Sequence, residues 1–198
     1  ASEASPPSHP LPCTPESGTV VCDARLAYAA GADWGVKWAA AARGLVASLP
    51  AAAVARAEAA CIAGTSASVL LVDGDTMEVL APPLLYSDAA TPAAVAAAAA
   101  LAPAGHPAVA PTSITAKVVQ WWLEGRVTGN AVVVSASDYA SAALAGASAP
   151  ARLRVSDDNN QLKAGWDPAA GAYEGWWAAH AAWAALAPRV VRPGRGTG

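Results

Sequence analysis

Three groups of residues have types and spacings that could do chemistry. The first is Gly64-Thr65-Ser66, inside the run CIAGTSASVLLVDGDTMEVL from Cys61 to Leu80. That run reads as strand, Gly-Thr-Ser-Ala turn, strand, Asp-Gly-Asp-Thr turn, strand. Two hydroxyls then sit where one strand ends and the next begins, and Gly64 turns the backbone with no Cβ in the way. Such a turn is either a plain hairpin connection or a floor whose hydroxyls donate to and accept from a polyol or sugar. The second group is Asp157, Asn159 and Asn160. It reads as a turn with a helix cap, or as an amide-and-carboxylate cluster fixing a loop beside a ligand. The third is Asp138, a carboxylate in the first turn of a helix, where the helix dipole favours it. The three histidines do not assemble a Ser-His-Asp arrangement. His9 reads as solvated, His106 as exposed in the Pro103–Pro107 loop, and His180 as a core or rim residue. No GxxxxGK[ST], GxGxxG after a strand, HExxH or GxSxG is present.

The elements that must position these groups follow from periodicity and punctuation. Residues 1–17 are rich in Pro, Ser and Glu and read as disordered or a long loop. Ser17 to Tyr28 alternates like an edge strand. Asp33 is placed to cap a helix on which Trp34, Trp38, Ala41, Leu45 and Leu49 share a face, and Pro50 ends it. A short second helix is expected over Ala51–Ala59. Thr91 and Pro92 open a helix to Leu101, and Thr112 caps another to Glu124, closed by Gly125. On that helix Lys117, Trp121 and Glu124 lie on one side, with Val118 and Val119 buried. Ala131–Val134 reads as a buried strand, followed by a helix capped by Ser137 from Asp138 to about Ala145. Ala151–Pro168 is polar and reads as solvated turns. A last helix is expected over Tyr173–Leu186, with Trp176, His180 and Trp183 on one face. The expected class is α/β with a mixed sheet and flanking helices.

Composition bounds the rest. The 198 residues suffice for one sizeable domain. Alanine supplies most of the apolar content and buries little area per residue, so the eight tryptophans must carry much of the burial. Phe is absent, and Arg outnumbers Lys by nine to three, a bias that looks like coding composition. A net charge of −3 with no basic stripe makes nucleic acid an unexpected partner. No apolar run has membrane character, since the Ala96–Ala100 block is short and Pro103 closes it. Cys13, Cys22 and Cys61 lack metal spacing and read as free thiols.

Several of these segments, taken together, resemble one family. CIAGTSASVLLVD looks like the "DGTSA" segment of the xylulose-kinase-like and ribulokinase branch of the FGGY carbohydrate kinases. PTSITAKVVQWW and SASDYASAAL resemble further helices of that branch, and DWGVKW resembles its early "DWxxxW". VSDDNNQLKAGWDP is similar to its "SDYNNALKxGYDP" segment, and LAPRVVRPGRGTG to the exit that follows. The matches keep their order from about residue 17 to the end.

The resemblance implies an RNase H-like (actin/hexokinase-like) fold and ATP- and Mg²⁺-dependent phosphorylation of a ketopentose, D-ribulose or D-xylulose. It implies a sugar site lined by Gly64, Thr65 and Ser66, with Ser113 and Lys117 near or behind it. Asp157 and Asn160 would hold the loop that frames it. It implies a cytoplasmic or plastid-stroma location. Ala63 stands where the family motif has Asp. The family's phosphate-binding opening strand is replaced here by a Pro/Ser-rich segment, and its general base and ATP domain would fall after Gly198. The expectation is therefore a partial amino-terminal, sugar-side domain over 18–198, lacking its first strand and inactive alone. Its unpaired sheet edge would favour self-association. The alternative is a non-catalytic sugar- or partner-binding remnant.

Overall fold

The computed structural model describes residues 20–27, 33–146 and 149–192. The chain is mixed α/β. In order, its elements are α1 (Trp34–Ser48), α2 (Ala51–Val54), β1 (Val69–Asp73), β2 (Val79–Leu84), α3 (Pro92–Ala99), α4 (Ile114–Leu123), β3 (Ala131–Ser135) and α5 (Ala136–Leu144). They continue with α6 (Ala149–Leu153), β4 (Val155–Asp157), α7 (Asp158–Gln161), β5 (Trp166–Asp167), β6 (Ala172–Tyr173), α8 (Gly175–Ala178), α9 (Ala181–Ala184) and β7 (Arg189–Val191). Among the described residues no helix is long and apolar enough to cross a membrane.

The main sheet has the order β2-β1-β3 and is antiparallel throughout. Parallel pairing occurs apart from it, between β4 and β7. Strands of both senses thus exist, but not mixed in the main sheet as expected. β1 pairs in unbroken register with β3, from Val69 opposite Ser135 to Asp73 opposite Ala131. Its run VLLVD is apolar at successive positions because both faces are covered. Val69, Leu71 and Val133 pack with Ala94, Ala98, Ile114 and Val118 of α3 and α4. Leu70, Val72, Val132 and Val134 pack with Ala39 of α1 and with Tyr139, Ala142 and Ala143 of α5. The result is a helix–sheet–helix sandwich with two apolar cores.

The hairpin between β1 and β2 is shaped by Asp73. Its Oδ1 accepts from the backbone N–H groups of Asp75 (3.0 Å) and Thr76 (2.8 Å) and from the Thr76 hydroxyl. The third strand expected around Cys61 does not form; residues 57–65 run without regular structure, and a turn at Ser66–Ala67 leads into β1. A strand at Cys61 would be the hairpin partner of β1, and β1 already has β2 and β3 on its two sides. The edge strand expected over Ser17–Tyr28 is also absent from residues 20–27; the rest of that span and the 1–17 segment lie outside the described residues. Of the two outer edges, β2 carries Pro82 and Pro83, which have no N–H to offer. On β3, the Val133 N–H is taken by the Leu186 carbonyl at 3.3 Å.

Capping follows hydroxyl reach. Thr91 caps α3 as expected, accepting from the Ala94 N–H. Ser113 caps α4 in place of Thr112, and Ser135 caps α5 in place of Ser137. In both cases the serine has the extended backbone that aims its oxygen at the third N–H along. Asp33 sits at the cap position of α1 but pairs with Lys37 at 3.0 Å instead of capping. The expected last helix is two short ones, broken at Ala179–His180. His180 stacks on Trp183 there, with ring centroids 4.0 Å apart. Trp176 does not join that pair; it packs edge-on against His106. His106 is half-buried, not exposed. Its Nδ1 accepts from the Ala108 N–H, which leaves Nε2 protonated to donate to Glu174 at 2.7 Å.

α1 meets the sheet through its small residues. A Cβ on Gly35 would lie 2.6 Å from Val79 Cγ2 and 2.9 Å from Leu70 Cδ2. Gly35→Ala is therefore expected to destabilise by about 1–2 kcal/mol, overpacking outweighing the gain in helix propensity. A urea midpoint equal to or above that of the unmutated chain would contradict this close approach.

Candidate functional site

The tryptophan stripe of α1 flanks its sheet-facing side, and Trp38 packs partly against the core between α1, α5 and the sheet. Gly35 and Ala39 take the buried side, so Trp34 and Trp38 turn toward the 60–65 segment and α5. Between these lies an open cleft of about 670 Å³. One wall is Trp34, Trp38 and Leu45; the opposite wall includes Ile62, Leu85 and Leu144. The two indole rings are 5.9 Å apart and tilted by 30°. Arg43 clamps the helices that frame the cleft by donating to the Ala143 carbonyl at 3.0 Å. The polar side chains along the cleft are Thr65, Ser68, Ser137, the Tyr86 phenol and the Cys61 thiol, with the backbone of Gly64 beside them. The site thus joins aromatic surface to a short row of hydroxyls.

Of the seven residues singled out from sequence, Gly64 and Thr65 line this cleft. Ser66 is half-buried in the adjoining turn and does not line it. Ser113 is buried and spends its oxygen on the Ala116 N–H as the α4 cap. Lys117 is fully buried behind the turn. Its Nζ donates to the Ala67 and Leu85 carbonyls, each at 2.6 Å. It therefore holds the cleft's floor from beneath and does not reach into it. Ala67 has φ +64°, a left-handed conformation unusual for a residue with a side chain, and the Lys117 bond pins its carbonyl there.

Asp157 and Asn160 reach the cleft through one intermediate. Asp157 caps α7 by accepting from the Asn160 N–H at 2.9 Å. The Asn160 amide donates to Asp157 Oδ2 at 3.1 Å and to Ser137 Oγ at 3.2 Å. The segment expected to be solvated turns is thus partly interior: Ser156, Asn160 and Gln161 are buried. Asp138 is the half-buried carboxylate of this region. Its Oδ2 accepts from Ser135 Oγ at 2.7 Å and from Ser156 Oγ at 2.6 Å. Burial pushes its carboxyl above the usual range, with the two hydroxyls pulling the other way.

Ser137 is the residue that sequence reasoning missed as a site residue. It reads as a cap, because a Ser before Asp at a strand-to-helix junction has that signature. The signal that could have found it is the second serine, Ser135, which takes the cap and frees Ser137. Gly64 packs against it: a Cβ on Gly64 would be 3.0 Å from Ser137 Cβ and 3.4 Å from its Oγ.

The lining of the cleft contains no charged side chain among the described residues. Among the described residues no cluster of three His, Cys, Asp or Glu could hold a metal ion. Cys22 and Cys61 are free thiols, and Cys13 lies outside the described residues. No protein-family model matches the chain.

Lys117 makes a pH signature for the site. Burial pulls its ammonium down to about 8, against the attraction of Asp88 and with help from Lys163. Between pH 8 and its ordinary value of 10.5 the unfolded chain binds a proton that the folded chain has released, so stability rises with pH there. The neutral amine still has two N–H groups for its two carbonyls. Burial raises the phenols of Tyr139 and Tyr173, so above their ordinary 10.0 they oppose this rise. The urea midpoint is expected to be higher at pH 10 than at pH 8. Lys117→Met should abolish that difference and cost roughly 1–3 kcal/mol from its two stranded carbonyls. A midpoint falling across this window would refute the burial of a strained ammonium.

Proposed function

We propose that the cleft is a sugar site, and that the chain is the sugar-side part of an FGGY-type carbohydrate kinase with an RNase H-like (actin/hexokinase-like) domain. The ligand is a ketopentose, D-ribulose or D-xylulose, and the reaction to which the site belongs is its ATP-dependent phosphorylation. One observation carries this reading: three sequence-distant motifs that support the resemblance converge on one cleft. DWGVKW supplies Trp34 and Trp38, SASDYASAAL supplies Ser137, and VSDDNNQLKAGWDP supplies Asn160, which bonds Ser137. The chemistry agrees with a sugar. Indole rings cover the C–H face of a polyol, and hydroxyls and backbone exchange hydrogen bonds with its edge.

A second reading is favoured by the uncharged lining. Phosphoryl transfer needs a base for the attacking hydroxyl and charge to stabilise the phosphates. The cleft supplies binding groups and neither of these, as a non-catalytic sugar- or partner-binding module would. Both readings expect binding and no turnover by these residues alone; they part on whether the site serves a phosphorylation.

Tryptophan emission should change saturably on titration with D-ribulose or D-xylulose, because Trp34 and Trp38 line the cleft. Trp38→Ala and Thr65→Ala should each weaken binding about 3- to 30-fold. These 198 residues with ATP and Mg²⁺ should yield no sugar phosphate. No saturable response to either ketopentose would sink the sugar reading. Phosphorylation of D-ribulose would keep it and eliminate the non-catalytic one.

A further inference from the structure

A chain of hydrogen bonds runs from Asp138 to the cleft, and with Asp138 ionised its direction is set. Ser135 Oγ donates its one proton to Asp138 Oδ2 and accepts from the Asp138 N–H at 3.0 Å. Ser137 Oγ lies 2.9 Å from Ser135 Oγ. With the Ser135 proton committed, the proton in that contact must come from Ser137. Ser137 Oγ also accepts from the Asn160 amide. A hydroxyl has one proton and two lone pairs. Ser137 has therefore used its proton and one lone pair, and keeps one lone pair on a side chain that lines the cleft. Ser156 closes the other side, donating to Asp138 Oδ2 and accepting from Gln161 Nε2 at 3.1 Å. The Asp138 acceptor is thus saturated by two hydroxyls, and neither proton is free to turn back toward Ser137.

We infer that Ser137 is an acceptor-only subsite, and that Asp138, acting through Ser135, is the positioning residue that holds it so. The inference rests on the sugar reading and sharpens it: the ligand must present a hydroxyl proton at this point, as a neutral polyol or ketose does. An ester oxygen or a phosphate oxygen meets a lone pair there and is rejected. Gly64 belongs to the same device, since a side chain at 64 would stand 3.4 Å from Ser137 Oγ and cover it.

The test reads the hydroxyl proton directly and does not need a ligand. In the full chain, exchange of the Ser137 hydroxyl proton is followed by the deuterium isotope shift on its ¹³Cβ. Slow exchange is expected, because the proton is held by Ser135. Asp138→Ala frees the Ser135 proton to turn toward Ser137, so Ser137 exchange should accelerate at least about tenfold. Asp138→Asn, whose amide oxygen can take both hydroxyl protons, should restore slow exchange. If Asp138→Ala does not fold, Ser135→Ala breaks the same link. Fast exchange in the unmutated chain, or equal rates in all variants, overturns the inference.

D-ribulose binding is then measured on the same proteins. Weaker binding by Asp138→Ala at unchanged circular dichroism supports the subsite, and equal binding overturns it while leaving the sugar reading intact. If the unmutated chain binds no D-ribulose, the sugar reading falls, and the exchange rates alone decide the polarity of Ser137.

Discussion

The fold turns on one buried ammonium. Lys117 projects from α4 and donates to two carbonyls, one in the turn before β1 and one just after β2. Those two points are the entry to the central strand and the exit from its hairpin partner. A single side chain therefore fixes the distance between helix layer and sheet and the shape of the turn. The cost is desolvation of a cation, visible in its lowered proton affinity. The return is geometric: Ala67 is held in a left-handed conformation at the turn that joins the cleft-lining 60–65 segment to β1.

The opposite layer solves a related problem with a carboxylate. Asp138 lies at the start of α5, where its charge suits the helix dipole, yet it is half-buried. Two serine hydroxyls satisfy it, one from the end of β3 and one from β4. Gln161 and Tyr173 extend the network by further bonds of 3.1 and 3.0 Å. Such networks rigidify when every member is satisfied. The carboxylate thereby knits α5, β4 and α7 into one wall and presents Ser137 on the cleft side of it. Both polar devices, cation below and anion behind, stop short of the cleft. Among the described residues, its own lining carries no charged side chain.

Alanine makes this arrangement necessary. Helices made largely of Ala offer little area to bury, so α1 docks by closeness, with Gly35 against the sheet. Its tryptophans then lie to the side of that contact, with Trp38 still packing partly against the core. Trp34 and Trp38, which in a leucine-rich protein would be core, become cleft wall. Burial of aromatic area is concentrated elsewhere, in Trp121, Trp177 and Trp183. Trp122, beside Trp121, stays 42% exposed, as its position on the helix requires.

Much of this was legible from the sequence. The class, the buried β1 and β3, the cap at Thr91 and the stop at Pro50 follow from branched residues, hydroxyls and prolines. These are local effects, decided within a few residues. Gly64 and Thr65 were identifiable by type. Local chemistry could not tell whether the Trp stripe faced core or cleft, because periodicity defines a face and not its neighbour. Nor could it separate Ser135 from Ser137, since either hydroxyl suits a cap and only the bend at the end of β3 chooses. It read Ala151–Pro168 as solvated, since Asp and Asn are turn formers; packing against α5 buried Asn160 beside Ser137 instead. Sequence by itself determined the elements and the polar groups available. Tertiary structure alone decided which of those groups meet, because hydrogen bonds between α4 and β1, and between α5 and α7, join residues that are far apart along the chain.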